Sequence, residues 1–173
     1  MEKTKETSTS ITILASTFKK DLSLLENYIS HKEGINALGN FGLKPKTIVG
    51  CYWEEEELSL SFSLSFFLKE GKSFIESLFL SKTFSLVSSL FFDRFNQESI
   101  LLIDENGNSF LLYSNGDYES LGLFVKVSKE IALKNKCCSY IDGEFFICLG
   151  EDRPFYHLSK TLNDFYLEAE KEI

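Results

Sequence analysis

The stretch Leu58 to Phe66 reads Leu-Ser-Leu-Ser-Phe-Ser-Leu-Ser-Phe. On a β-strand successive side chains point to opposite sides, so Leu58, Leu60, Phe62, Leu64 and Phe66 share one face and Ser59, Ser61, Ser63 and Ser65 the other. Wound as a helix, the same five apolar groups would scatter round the cylinder. The chain must therefore contain a sheet with one apolar side and one hydroxyl-bearing side.

Around that strand the sequence divides readily. Residues 1–10 are polar and are expected to be a flexible N-terminal segment, with residues 11–173 forming one α+β domain. A single domain of this size buries about 70% of the surface its unfolded chain exposes. Ile11 to Leu14 suits a short first strand. From Thr17 the spacing of Phe18, Leu22, Leu25 and Ile29 predicts a helix, and Gly34, Gly39, Gly42 and Pro45 predict a break into loop. Lys46 to Trp53 reads as a strand. Ser73 to Phe92 reads as a helix, although Phe84 to Leu90 also suits a strand. Three short apolar runs, 100–103, 109–113 and 121–127, are separated by two Asn-Gly pairs and predict an antiparallel meander. Ser128 can cap a short helix through Lys134, and Asp142-Gly143 joins a further hairpin. Leu158, Leu162, Phe165, Ala169 and Ile173 predict a closing helix. The expected fold class is α+β: a single antiparallel meandering sheet with helices packed mainly on one face and amphipathic helices near both termini.

The formal net charge is −8. No basic stripe offsets it, so nucleic-acid binding is disfavoured. The amino terminus is charged in both signs without an apolar region behind it, and no run of the length needed to cross a bilayer occurs. The expectation is a cytoplasmic protein without membrane contact, whose Cys51, Cys137, Cys138 and Cys148 are reduced thiols.

Motifs for catalysis are weak. Gly71-Lys72-Ser73 and the Ile100 to Glu105 run resemble parts of a P-loop ATPase, but the glycine required five residues earlier is Phe66. The cysteines lack zinc-site spacing. Cys148 and His157 could form a thiolate–imidazolium pair only by chance convergence. His31 suits a helix C-terminus, where its charge would complement the dipole. On these grounds no catalytic residue, metal site or cofactor is predicted.

Charge distribution is more suggestive. Between Phe95 and Val125 there are five acids and no Lys or Arg. Three acidic loops result, bearing Trp53, Glu54, Glu55, Glu56 and Glu57; Asp104 and Glu105; and Tyr113, Asp117, Tyr118 and Glu119. Acid steers a basic partner and aromatics anchor it. The reading that follows is a non-catalytic acidic protein-binding module: an immunity protein or antitoxin that neutralises a basic, possibly nuclease, toxin. The alternatives are a type III-like secretion chaperone for an effector protein and a small enzyme of unknown chemistry.

Overall fold

The computed structural model describes residues 9–54, 57–70, 81–135 and 137–150. Eight strands occur among them: β1 (Thr9–Ser16), β2 (Lys46–Glu54), β3 (Glu57–Glu70), β4 (Ser99–Ile103), β5 (Asn108–Tyr113), β6 (Tyr118–Val127), β7 (Cys137–Ile141) and β8 (Glu144–Cys148). The helices are α1 (Leu24–Asn40), α2 (Lys82–Ser89), which continues into a π-helical turn at Leu90–Arg94, and α3 (Lys129–Lys134).

The strands close into a barrel in the order β1-β3-β2-β7-β8-β6-β5-β4, with every neighbouring pair antiparallel. This corrects the expected open meandering sheet with helices on one face. The expected local hairpins all form. What sequence adjacency does not reveal is the seam, where β1 pairs with β3 along one edge and with β4 along the other, Leu14 opposite Leu101. Closure gives each of the eight described strands a partner on both sides, whereas an open sheet of this length would have edge strands to protect by other means.

Closure gives the two faces of the alternating strand different neighbours, helices on the apolar side and the barrel interior on the serine side. Leu64, Phe66 and Leu68 of β3 join Ile11, Ile13 and Ala15 of β1 and Ile100 and Leu102 of β4 in the largest apolar cluster, and this cluster lies outside the barrel beneath α1 and α2. Phe91 is the centre of that layer, stacked on Phe66 at 6.1 Å between ring centroids and 11° between planes. A second outer layer, Val49, Cys138, Phe145 and Ile147, is covered by Ile131 and Ala132 of α3. The helices thus cover two outer flanks of a barrel.

Helix α1 starts later and runs further than its apolar spacing predicts. Ser23 caps it, accepting from the Glu26 amide at 3.1 Å while the Glu26 carboxylate accepts from the Ser23 amide at the same distance. Its buried side is Asn27, His31, Gly34 and Leu38, whereas Leu25 and Ile29 are exposed. Gly34 does not break the helix. It lets the helix approach the barrel, since a Cβ there would stand 3.0 Å from Thr17 Cγ2 and 3.1 Å from Leu64 Cδ1. His31 is accordingly mid-helix and buried, not at a helix end; its Nε2 lies 2.9 Å from Thr47 Oγ1. Burial, aided by Lys32, lowers its pKa and favours the neutral ring.

Residues Lys82–Arg94 confirm helix for the second half of the 73–92 segment. Its first half, the predicted closing helix, His157 and the Gly71-Lys72-Ser73 motif lie outside the described residues. No helix among the described residues is long and apolar enough to cross a membrane.

Candidate functional site

Residues directly opposite in an antiparallel ladder share a face. Leu14 faces Ser65 and Leu101; Ile48 faces Ser63; Gly50 faces Ser61 and Ser139; Ser139 faces Phe146; Phe124 faces Cys148; Ile103 faces Ser109. Leu14, Ile48, Leu101, Ile103, Phe124 and Ile141 come from strands all round the barrel yet pack as one cluster, so this shared face is the interior. The serine row of β3 therefore points into the barrel.

The interior has two unlike walls. Across β3, β2 and β7 the inward residues include Ser61, Ser63, Ser65, Gly50 and Ser139, all small, beside the larger Ile48 and Ile141. Across β4, β6 and β8 they include Leu101, Ile103, Phe124 and Phe146, with the two phenyl rings stacked at 5.1 Å and 5°. Eight-stranded barrels are just wide enough either to be filled by side chains or to hold one small ligand. Here Ser61, Ser63, Ser65, Gly50, Ser139, Phe124 and Phe146 remain partly exposed although they face inward. These inward residues retain accessible surface, with hydroxyls on one side and an aromatic surface on the other, while Leu14, Ile48, Leu101, Ile103, Phe124 and Ile141 pack together across the interior.

One buried polar contact braces it. Ser109 is fully buried; its hydroxyl donates to the Gly122 carbonyl at 2.7 Å and hydrogen-bonds to Cys148. Burial pushes the Cys148 thiol up to about 11. It is protonated at neutral pH and unsuited to act as a nucleophile there. No cluster of three or more metal-ligating side chains occurs among the described residues.

Strand direction divides the predicted acidic loops between the two ends of the barrel. At one end lie the β2–β3 hairpin, closed by Glu54 opposite Glu57, and the β5–β6 turn from Tyr113 to Tyr118. Trp53 is paired with Leu58 in that hairpin, and Glu55 and Glu56 lie outside the described residues. Asp117, Tyr118 and Glu119 are exposed, Tyr113 is half-buried, and the Tyr118 ring meets Phe110 edge-on. The Asp117 carboxylate accepts from Asn115 Nδ2 at 2.9 Å. The β4–β5 turn is at the opposite end. There Asp104 is occupied by its own loop, accepting from the Asn106 and Asn108 amides at 2.9 Å each, and Glu105 accepts from the Ser10 amide at 2.7 Å. The three loops do not form one acidic surface.

Sequence reasoning missed the lumen residues Gly50, Ser139, Phe124 and Phe146. The serine row was the available signal, but its inward direction follows only from closure.

The sequence model of the S-adenosylmethionine lyase family matches residues 13–149, from within β1 to just past β8. Among solved structures, a phage SAM lyase in complex with S-methyl-5'-thioadenosine is 20% identical, with 69% of this chain and 93% of that chain covered. Its TM-score of 0.32 is too low to carry a structural argument. Among curated proteins none matches the sequence. A match of this extent to an enzyme family overturns the expectation of a non-catalytic binding module, whether immunity protein, antitoxin or toxin inhibitor, or secretion chaperone.

Proposed function

The chain belongs to the S-adenosylmethionine lyase family, and from that premise we propose that it breaks a carbon–sulfur bond of S-adenosylmethionine without adding water. The observation that carries the reading is the family match across the whole barrel, residues 13–149.

The substrate's chemistry selects the bond. Its sulfonium is a built-in leaving group that departs as a neutral thioether. The methyl carbon has no neighbouring carbon and permits neither elimination nor ring closure. The aminobutyryl arm, by contrast, carries its own carboxylate, which reaches the carbon bonded to sulfur through a five-membered ring. We take that carboxylate as the nucleophile: the new C–O bond closes a lactone, the C–S bond breaks, and S-methyl-5'-thioadenosine leaves with the electron pair. No enzymic nucleophile is required in this step. Holding the arm folded is the main task, and effective molarities of about 10⁵–10⁸ M show how much orientation alone can supply.

The accessible part of the lumen supports that task. The Phe124–Phe146 pair offers an apolar surface for the flat adenine or the sulfonium, where a desolvated cation over a ring gains about 2 kcal/mol. The hydroxyls of Ser61, Ser63, Ser65 and Ser139 are suited to ribose and to the amino-acid end. S-Adenosylmethionine carries a net positive charge, and the chain is at −8 with Glu54 and Glu57 closing a hairpin at one end of the barrel. In this reading the acids at that end attract a cationic small molecule.

The test is incubation of the purified protein with S-adenosylmethionine, followed by chromatography and mass analysis. Time-dependent S-methyl-5'-thioadenosine in proportion to protein is expected. Unchanged substrate, or release of methionine in its place, would refute the proposal.

A further inference from the structure

The four cysteines of the chain occupy three adjacent strands, β2, β7 and β8. Cys51 is directly opposite Cys138. Cys137 opens β7 and Cys148 ends β8; since Ser139 faces Phe146 and Tyr140 faces Phe145, the same register carried two residues further sets Cys137 opposite Cys148. Both belong to the lumen-facing set, because Ser139 and Phe146 do. Residues opposed in an antiparallel ladder have Cα atoms about 4.5 or 5.5 Å apart, and both values fall within the roughly 4.4–6.8 Å that a disulfide spans. After burial and the Ser109 hydrogen bond, repulsion from Cys137 also acts on the Cys148 thiolate, which agrees with this facing arrangement.

We propose that Cys137 and Cys148 are an oxidation site, converted to a cross-strand disulfide by a low-molecular-weight disulfide such as oxidised glutathione. Access decides which pair reacts. Cys137 is exposed, whereas Cys138 lies beneath Ile131 and Ala132 of α3. The Cys137 thiolate attacks the oxidant, forming a mixed disulfide and releasing one glutathione thiolate. The Cys148 thiolate then attacks the Cys137 sulfur and releases the second. Two S–H bonds are lost and one S–S bond forms; both protons and both electrons end on two molecules of reduced glutathione. The high pKa of Cys148 makes the second step slow at neutral pH, faster as its thiolate fraction rises about tenfold per pH unit. Cys137 pairs with Tyr52 near the Glu54–Glu57 hairpin, so the crosslink fixes β7 to β8 at the same end of the lumen. Loss of lyase activity on oxidation is the expected consequence, and that part rests on the function proposed above.

The test treats the reduced full chain with oxidised glutathione at pH 7 and pH 9, blocks remaining thiols by alkylation, and maps linked peptides by mass without reduction. A Cys137–Cys148 link that forms faster at pH 9 and disappears in C137S and in C148S is expected. A Cys51–Cys138 or Cys137–Cys138 link, or a glutathione adduct that persists on Cys137 beside an alkylated Cys148, would overturn the assignment. In parallel, oxidised protein should release S-methyl-5'-thioadenosine at least tenfold more slowly, recover with dithiothreitol, and show no such loss in C137S relative to its own reduced form. A mapped link with undiminished turnover would overturn the regulatory role. Absence of turnover in the reduced protein would instead sink the lyase reading, while the mapping still decides the disulfide.

Discussion

Gly50 offers a way to fill the lumen without unfolding the barrel. A Cβ at this position would stand 3.0 Å from Ser61 Oγ, 3.5 Å from Ser63 Oγ and 3.8 Å from the Ser61 carbonyl oxygen. The tight contact is with the end of a short side chain that can rotate away, and pushing a side chain off its rotamer costs about 0.5–1.5 kcal/mol. Against this, a glycine within a strand is itself unfavourable by about 0.5–1 kcal/mol relative to alanine. The terms nearly cancel, so Gly50→Ala should change unfolding free energy by less than about 1 kcal/mol, a shift of roughly 2–4 °C in Tm. Gly50→Val adds two methyl groups beyond the alanine Cβ to the same wall and improves strand preference. Its effect should appear in binding: misfit of one carbon in a pocket is worth about 1–3 kcal/mol, which corresponds to a 10–200-fold loss in kcat/KM. Urea unfolding followed by far-UV circular dichroism measures the first quantity, and initial rates of thioether release measure the second. A folded Gly50→Val protein with undiminished kcat/KM would show that substrate does not occupy the lumen at this level.

Gly34→Ala should destabilise despite the better helix propensity of alanine, because the gain of about 1 kcal/mol is set against overpacking of about 1–3 kcal/mol. The atoms in the way, Thr17 Cγ2 and Leu64 Cδ1, are themselves buried, and thermal unfolding gives the sign. His31 has a folded-state pKa below its ordinary 6.5, so the unfolded chain binds the proton first. Stability should be fully present above about pH 6.5, fall as pH drops through the lowered folded value, and fall less in His31→Gln; urea midpoints across pH 5 to 8 test this. Glu54→Gln combined with Glu57→Gln should lower kcat/KM for the cationic substrate and weaken its dependence on ionic strength, with little change in unfolding midpoint.

How much of this was readable beforehand depended on whether the signal was local. The β4–β5–β6 meander and the β7–β8 hairpin were legible because short apolar runs flank turn residues, and Asp142 and Gly143 do adopt the positive φ values, 53° and 80°, that such a tight turn requires. The seam between β1 and β4 was not legible, since residues about ninety positions apart pair without any mark in either strand. That contact and the similarly distant β2–β7 pairing closed the sheet into a barrel and set the serine face, whose direction the sequence leaves open, toward the lumen. In α1 the apolar residues Leu24, Leu25, Tyr28 and Ile29 are exposed, and the buried stripe runs through Asn27, His31 and Gly34. Hydrophobic spacing alone therefore selected the wrong face. Asn27 is tolerated there because its amide is used locally, its Nδ2 donating to the Lys19 carbonyl at 2.9 Å and its Oδ1 accepting from the Lys19 amide at 2.8 Å.

Glu54 to Glu57 stood out by charge, but charge without chemistry suggested a basic protein as readily as a cationic small molecule. Nothing in the residues announced catalysis, and the proposed reaction explains why. A substrate that brings both its leaving group and its nucleophile leaves the protein chiefly to shape and orient, and serine, glycine and phenylalanine on barrel strands form no recognisable catalytic motif.

The most direct test of lyase chemistry is turnover of S-adenosylmethionine in ¹⁸O-labelled water, with mass analysis of the amino-acid product after its lactone has opened. Ring closure by the substrate's own carboxylate predicts an unlabelled oxygen on the carbon that was bonded to sulfur, with label entering only at the carboxyl carbon during opening. Label on the former sulfur-bearing carbon would show that water is the nucleophile and contradict the account.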